Sequence, residues 1–599
     1  MKTIGTLLFT LILSGFFAPR CGATVYHSDG SVASVQYLHN AASNGDTITL
    51  PAGTFSWTLP LTITKGITLQ GATTITGPAS NPTVTDATII QDNTPRSGSN
   101  VGIINVEISS SQSFRLTGLT FAPGSSTTYA AGEGAIHLFS QDSSPCTSMR
   151  VDHCHFNLLY QGKDIFVSGW VYGVADHNVF DCRGNSFSFH IWHNNYGGTS
   201  QINGNGSWAD YPWYGTEKFF FIEDNTINGS GTVVTSGTID AWSGGRWVAR
   251  HNYWKNAHPS GHGTEGALQR GMRAYEVYDN TFNWTISNSG GLQRSGSSMW
   301  HDNSYTGIES GSHTGLANYR EKFFQGGVWH CANGTNPWDV NSPYLYHSGV
   351  DNSSVNSQGV VHDSTKNWTP NGWVGYSVTN TNPASTSYGF GSYIISNTSN
   401  TITYSYYPGD QGGPTLIFNA GDSYSIYKIL TQLDQNGRGK GDQVIGASNP
   451  INSTTGTPWW THEALEPCYS WNNVHTPTNH ALGFVSGDYP TTIVNRDYYN
   501  LGAGFFPHDA TPLIVSSTYT AARNGVNYVG TFVYPHPLVT AQSAQPTPTA
   551  SATLCSLLQQ RLDRLQRRHQ RLKRLHIPHR KLKRRLQRVQ LQLQLQHCL

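Results

Sequence analysis

The chain has 599 residues, only 12% of them charged, and a formal net charge of +1. This length exceeds an ordinary compact domain unless the chain repeats a structural unit. The low charge and the 12% aromatic content are typical of an extended all-β protein and argue against a helical one.

The first 23 residues have the pattern of a secretory signal peptide. Lys2 precedes an apolar run from Ile4 to Phe17, and small residues end at Ala23. The apolar run is too short for a membrane span, and we expect a secreted or cell-surface protein with no membrane span. The remaining cysteines before the tail form an odd set without CxxC spacing, which argues against zinc and fixes no disulfide: Cys146, Cys154, Cys182, Cys331 and Cys468.

Residues Ser31–Ala42 are expected to form a helix that caps the N-terminal end of the fold. Val32, Val35 and Leu38 recur at helical spacing, and the strand-like sequence NGDTITLPAGTF (Asn44–Phe55) follows. A solenoid exposes a strand edge at each end, so a capping helix is expected there.

A six-residue phrase then recurs along the chain. Its copies are Val151–Phe156, Ala175–Phe180, Ile222–Ile227, Ala249–Trp254, Val277–Phe282, Trp300–Tyr305, Ser470–His475 and Val494–Tyr499. The fourth residue is Asn in six copies, Cys154 in the first and Asp497 in the last. A period near 25 residues, without long amphipathic runs, fits a solenoid whose units share one hydrophobic column.

Each copy reads as a short strand, a bend with Asn near left-handed geometry, and a second short strand. Stacking such units about 4.8 Å apart gives a parallel β-helix, with a ladder of Asn side chains along one corner. A large β-sandwich with coincidental Asn turns is the alternative.

With GDTITLPAGTF, GITLQGA (Gly66–Ala72), FRLTGLTF (Phe114–Phe121) and the Asn phrases, the chain resembles the pectate-lyase-like, right-handed parallel β-helix superfamily. The resemblance covers about residues 25–325, and residues 440–539 less well. It implies an all-β, right-handed parallel β-helix and a carbohydrate-active or surface protein. Fold alone does not name the chemistry in such a superfamily.

Two segments break the period. Residues 349–430 alternate in polarity between Asn, Gly and Ser turns, which predicts a small inserted antiparallel module, either structural or carbohydrate-binding. The β-helix would therefore occupy residues 24–348 and 431–540.

Residues 541–599 comprise a Pro/Thr linker and a basic tail. The tail from Ser556 carries thirteen Lys or Arg residues and one acid, Asp563. Most of its residues belong to the set Leu, Pro, His, Gln and Arg, which is what a Pro/Thr/Ser-rich coding sequence yields when it is read one base out of frame. We infer no nucleic-acid partner from this tail, and we expect a monomer.

The resemblance implies chemistry on an outer face of the coils, because residues one coil apart lie side by side. In β-helix lyases, carboxylates hold Ca²⁺, which neutralises a uronate carboxylate, and an Arg or Lys removes the adjacent C–H proton. The candidate Ca²⁺ ligands are Glu223, Asp224, Asp240 and Glu265, and the candidates for a base or substrate clamp are Arg246, Arg270 and Arg273. His262 is a second candidate base, because an unperturbed imidazole needs little tuning.

The aromatic candidates for stacking against sugar rings are Trp208, Tyr211, Trp213, Tyr214, Trp242 and Trp254. Packing of the loops against the coils is the alternative for these rings, and paired surface charge is the alternative for each ionisable group.

Three functions stay open at this point. The first is a lyase that cleaves acidic polysaccharides by β-elimination. The second is a glycoside hydrolase that uses Asp240 and Glu265 as its two carboxyls. The third is a non-catalytic surface protein. The pectate lyase signature of two Arg flanking a Pro is absent, and of the polygalacturonase motifs only Gly261-His262-Gly263 is matched.

Overall fold

The computed structural model describes most of the chain from residue 23 to residue 541. The described residues are 23–95, 102–125, 134–140, 142–157, 163–182, 187–198, 204–229, 235–236, 238–263, 270–286, 291–317, 345–354, 357–374, 376–404, 416–427, 436–439, 464–486, 492, 494–495, 497–501, 528 and 530–541. The predicted signal peptide, the linker with the basic tail, Cys331 and Glu265 lie outside these residues.

The body is a parallel β-helix, as the sequence predicts, built from three long sheets. Sheet A contains Val25–His27, Thr47–Thr49, Thr68–Gln70, Phe114–Thr117, Cys146–Asp152, Val171–Asp176, Phe220–Glu223, Arg246–Arg250, Ala274–Tyr278, Ser297–His301, Cys468–Trp471 and Tyr498–Asn500. Sheet B contains Gly53–Trp57, Thr88–Asp92, Thr120–Pro123, His155–Asn157, Val179–Cys182, Thr226–Gly229, Tyr253–Lys255, Thr281–Trp284, Ser304–Gly307, Val474–His475 and the antiparallel His480–Ala481. Sheet C contains Leu61–Ile63, Ile104–Glu107, Gly134–Ser140, Lys163–Gly169, Phe187–Trp192 and Ile239–Trp242.

Smaller sheets complete the later coils and the loops. Gly291–Gln293, Thr314–Leu316 and Phe484–Ser486 form a parallel sheet of three strands. Two-stranded pairs join Thr235–Ser236 to Ala257–His258, Thr74–Thr76 to Thr83–Thr85, and Arg438–Gly439 to Ala464–Leu465.

Alternation along each strand fills the bore with apolar side chains. In sheet C, for example, Ile165, Val167, Phe189 and Ile191 are fully buried in the main core. Burial of each such side chain contributes about 1.5–3 kcal/mol, so the stacked coils stabilise one another through a continuous column.

The corner between sheets A and B carries the predicted Asn ladder. Asn225 Nδ2 donates to Asn252 Oδ1 at 3.0 Å, and Asn252 Nδ2 donates to Asn280 Oδ1 at 3.0 Å. The expected left-handed geometry of Asn itself is wrong. The positive φ lies one residue earlier, for example 56° at His251 and 54° at Asp279. That residue turns the chain, and the Asn side chain can then point inward to its neighbours.

The helix predicted near the N-terminus is Val32–Ala41, with Ser31 as its N-cap. The Gln36 side chain accepts from Thr62 N at 3.0 Å and donates to Thr62 O at 3.1 Å. Thr62 belongs to the first strand of sheet C, so one side chain satisfies both backbone groups at that free edge. This pairing supports a capping role, which stays a prediction.

The β-helix resumes after the insertion. Met299 of one coil pairs in parallel with Tyr469, and Asn303 Nδ2 donates to Asn473 Oδ1 at 2.7 Å. The inserted segment forms an antiparallel sheet of Leu345–Val350, Ser423–Tyr427, Ser377–Asn380, Gly391–Asn397, Thr401–Tyr404 and Val360–His362, beside the pair Ser357–Gln358 and Ile417–Phe418. This sheet has its own hydrophobic core.

Residues 530–541, which we call the strap, lie across the outer face of sheet A and include the short helix Pro537–Ala541. Arg250 donates to Phe532 O at 2.7 Å and to Val533 O at 2.9 Å, and Arg150 donates to Leu538 O at 3.3 Å. The strap therefore covers the polar outer residues of this sheet.

The described part of the chain contains no helix with the length and apolarity to cross a membrane. Four cysteines within it are buried free thiols: Cys146, Cys154, Cys182 and Cys468.

Candidate functional site

The outer face of sheet C carries two rows of polar and aromatic side chains. In the first row, His137, Phe166, His190 and Asp240 are neighbours in register on successive strands. In the second row, Trp192 lies beside Trp242. Because the residues between them point into the bore, the strand alternation alone places both rows outside.

Asp240 and His190 form a buried pair in the first row. His190 Nδ1 lies 3.2 Å from Asp240 Oδ2, and the residues are 2% and 8% exposed, respectively. Burial lowers the pKa of His190 to about 4, with Asp240 opposing that effect. Burial alone would raise the pKa of Asp240, but the charges of His190, His262 and Arg294 hold it below its ordinary value. At neutral pH the carboxylate is therefore ionised and the imidazole, which has almost no hydration, is neutral.

The second row forms an aromatic strip of half-buried rings. The centroids of Trp192 and Trp242 are 5.5 Å apart in an edge-to-face arrangement, and Phe166 meets Trp192 edge-on at 5.1 Å. The indole N–H groups of Trp192 and Trp242 have no hydrogen-bond partner. Their partly exposed ring faces are the kind of surface on which the C–H faces of sugars stack, whereas the indole N–H atoms are buried.

His262 extends this strip by one coil. Its backbone N–H donates to Ala241 O at 3.2 Å, and its ring lies 5.1 Å from the Trp242 ring. Nδ1 lies 3.0 Å from Gly263 O, and a carbonyl only accepts, so the neutral ring carries its proton on Nδ1 and its lone pair on Nε2. Arg294 follows on the next coil, where its backbone N–H donates to Gly261 O at 3.2 Å.

Lys163 lies at the other end of the strip. It is 9% exposed, and its Nζ lies 5.1 Å from the Phe166 centroid and 5.5 Å from the Trp192 centroid. Burial lowers the pKa of Lys163 to about 8, although Asp240 opposes the shift. A lysine with a lowered pKa can act in a protein as a general base, or as a cation that loses its charge near neutral pH.

The three predicted arginines lie away from the strip and hold loops. Arg246 Nε donates to Ser207 Oγ at 2.7 Å, and its Nη1 donates to Pro212 O at 2.9 Å. Arg273 is paired with the buried Glu466, with 3.0 Å between Nη2 and Oε2. The Arg270 guanidinium lies 4.8 Å above the Trp208 ring. Complete burial of all three side chains is at odds with a role as base or substrate clamp.

The three predicted Ca²⁺ ligands that the structure describes are not brought together. Glu223 lies on sheet A, where its carboxylate pairs with Arg250 Nη2 at 2.7 Å and accepts from His536 N at 2.8 Å in the strap. Asp224 accepts from Tyr534 OH at 2.8 Å. Asp240 belongs to sheet C, and Glu265 lies outside the described residues. Ca²⁺ takes six to eight oxygens, and carboxylates on two sheets, each already paired, do not fit it. Within the described residues, no cluster of three or more His, Cys, Asp or Glu side chains is arranged to hold a metal.

Of the six aromatic candidates, Trp242 lies in the strip. Trp254 is fully buried in the bore, and Trp208 and Tyr214 are buried residues of the loop that Arg246 holds. These three rings pack the interior and present no surface to a sugar. Tyr211 and Trp213 are half-buried in an edge-to-face pair at 5.4 Å.

Sequence reasoning missed Lys163, His190, Trp192 and Arg294. The signal available for two of them was the spacing in FHIW (Phe189–Trp192) and IDAW (Ile239–Trp242), where an ionisable residue and a Trp alternate on neighbouring strands.

No protein-family model matches the chain, and no curated protein sequence matches it. Among solved structures, similarity is found to a mutant of AlyGC, an alginate lyase of family PL6, at 14% identity and a TM-score of 0.28 over 51% of this chain and 41% of that one. An alginate lyase from Paenibacillus sp. strain FPU-7 is similar at 12% identity and a TM-score of 0.18 over 49% and 94% of the two chains. The tailspike of Pseudomonas phage phi297 is similar at 11% identity and a TM-score of 0.16 over 66% and 91%. TM-scores this low carry no argument about activity, which has to come from the site itself.

Proposed function

We propose that this chain cleaves acidic polysaccharides by β-elimination on the outer face of sheet C. The observation that carries the proposal is the arrangement of His262 and Arg294 around the ionised Asp240, at the end of the aromatic strip. Lys163 gives the strip a cation near one end, which favours a polymer with negative charges.

In the proposed reaction, the sugar rings stack on Trp192 and Trp242, and Arg294 pairs with the carboxylate of a uronate. That pairing stabilises the negative charge that develops when the proton on the adjacent carbon is removed. His262 Nε2 takes this proton. The bond from the ring carbon to the leaving glycosidic oxygen then breaks, a carbon–carbon double bond forms, and the oxygen leaves with the electron pair and takes a proton from water.

Asp240 has an electrostatic role in this scheme. When His262 accepts the proton it becomes an imidazolium, and the nearby carboxylate favours that charge. His190, neutral and buried, lies 3.2 Å from the carboxylate. The scheme assigns no step to a metal ion, because the three predicted Ca²⁺ ligands within the described residues do not form one site.

The test is turnover of the full chain on polyuronates and on neutral polysaccharides, followed by ultraviolet absorbance of the unsaturated product and by new reducing ends. His262→Ala should lower kcat by about 10²- to 10⁴-fold. Trp242→Ala should mainly raise KM. His480→Ala, which removes a histidine with a 68% exposed side chain on sheet B, is the matched control and should leave both constants unchanged.

Two results would contradict the proposal. Reducing ends without an unsaturated product would assign hydrolysis, and binding without turnover on any polymer would assign a surface protein. The predicted export of the chain accords with a polymeric substrate outside the cell and is proposed together with it.

A further inference from the structure

Lys163 has a burial that its own surroundings do not explain. Its side chain is nine-tenths buried, and among the described residues its ammonium has no hydrogen-bond acceptor and no ion-pair partner. It lies over the faces of Phe166 and Trp192. The carboxylate that interacts with it, Asp240, is already paired with His190 and acts only through its charge.

A buried cation in this state is costly for the protein. Burial disfavours the charged form of the side chain, and the cation–π contacts offset only part of that effect. The Trp192 indole N–H also has no hydrogen-bond partner, but that atom is buried. The ammonium lacks an acceptor among the described residues, and an anionic oxygen group beside the half-buried Trp192 ring would supply one.

We propose that Lys163 and Trp192 form a subsite that binds a charged sugar of the polymer without cleaving it. The proposal rests on the proposed function and deepens it, because it makes the substrate a glycan with negative charges on more than one sugar. Lys163 begins a strand two steps from the strand of Asp240, and His262 lies one coil further. Neighbouring strands lie about 4.8 Å apart, so these three steps place the subsite roughly 14 Å from the cleavage centre. The sugar bound at the subsite is therefore not the one whose glycosidic bond breaks.

The test is affinity electrophoresis of the full chain in gels that contain a polyuronate, a sulfated polysaccharide or a neutral polysaccharide. Lys163→Met keeps the length of the side chain and removes its charge. It should weaken binding to the polyanion about tenfold, as expected for loss of one charge-assisted hydrogen bond, and leave binding to the neutral polymer unchanged. Lys255→Met, which removes an exposed lysine from sheet B, is the matched control and should change polyanion binding less than about twofold.

The two proposals fail separately. If no polymer is turned over but Lys163→Met still loses polyanion affinity, the subsite stands and the β-elimination falls. If Lys163→Met binds the polyanions as Lys255→Met does, the subsite is overturned whatever the turnover. Loss of binding to the polyuronate alone identifies a carboxylate as the bound group, and loss on both polyanions identifies any anionic oxygen group.

The unmodified chain offers a second test that does not depend on a variant. Asp240 and His190 are the titratable groups that interact with Lys163, and the imidazole of His190 is already neutral at pH 7. With a pKa of about 8, Lys163 loses its proton between pH 7 and pH 9, so polyanion affinity should fall over that range. A flat profile in the unmodified chain would also overturn the subsite.

Discussion

Replacement of Asn252 by Ala tests whether the Asn ladder stabilises the β-helix. Asn252 is 2% exposed and makes four side-chain hydrogen bonds. Its Nδ2 donates to Ile222 O at 2.9 Å and to Asn280 Oδ1 at 3.0 Å, and its Oδ1 accepts from Asn225 N at 2.9 Å and from Asn225 Nδ2 at 3.0 Å.

The loss of stability comes from the buried groups that lose a hydrogen-bond partner when Asn252 is replaced. The Nδ2 of Asn225 keeps its bonds to two backbone carbonyls, at 2.9 Å each. The N–H of Asn225 and the carbonyl of Ile222 are left buried without the ladder side chain. At about 1–3 kcal/mol for each of the two unsatisfied groups, the free energy of unfolding should fall by about 2–6 kcal/mol.

The assay is urea unfolding followed by tryptophan fluorescence, with linear extrapolation to water. The control is Asn228→Ala on the outside of sheet B, where one bond of 2.9 Å to Asp181 is lost in a partly exposed position. That control should cost less than about 1 kcal/mol. Equal losses in the two variants would refute the reasoning, because the ladder would then contribute no more than a surface hydrogen bond.

Three further outcomes follow from the described contacts. Arg250→Met should destabilise the chain by about 3–5 kcal/mol, because Glu223 stays buried without its partner. The same variant should make residues 530–541 more susceptible to limited proteolysis. Unchanged cleavage would contradict the attachment of the strap through Arg250. Burial lowers the pKa of His190 and of His258 to about 4, so both imidazoles are neutral in the folded state near neutral pH. The stability of the fold is therefore complete above about pH 6.5 and should fall by up to about 3 kcal/mol for each histidine as the pH falls towards 4. The Tm measured across that pH range checks this. A chelator should leave turnover unchanged, and a loss that added Ca²⁺ restores would contradict the metal-independent reaction.

The fold could be predicted because its signal is local and repeated. The phrase at the corner between sheets A and B has a nearly constant length, so its period reports the coil directly. The same constancy placed Glu223 beside Arg250, and these two residues are paired in register. What the spacing could not report was the strap, which arrives from residues 530–541 and uses that pair for its own attachment.

The candidate site was harder to predict because sheet C has no repeated phrase. The connections from sheet B to sheet C vary in length between coils, so the residue that meets Asp240 cannot be counted from the sequence. His190 lies 50 residues before Asp240 and yet is its neighbour in register. Lys163 and Arg294 are candidates because of their burial and the charges around them, and neither property can be read from the sequence.

The interruption of the stack has a consequence for synthesis on the ribosome. The coil that contains Asn303 finds its next neighbour at Asn473, 170 residues later. At about 5–20 residues per second, the nascent chain waits roughly 10–30 s with the strand Ser297–His301 unpaired at its growing end. During that interval the inserted sheet, which has its own hydrophobic core, is the segment that emerges from the ribosome.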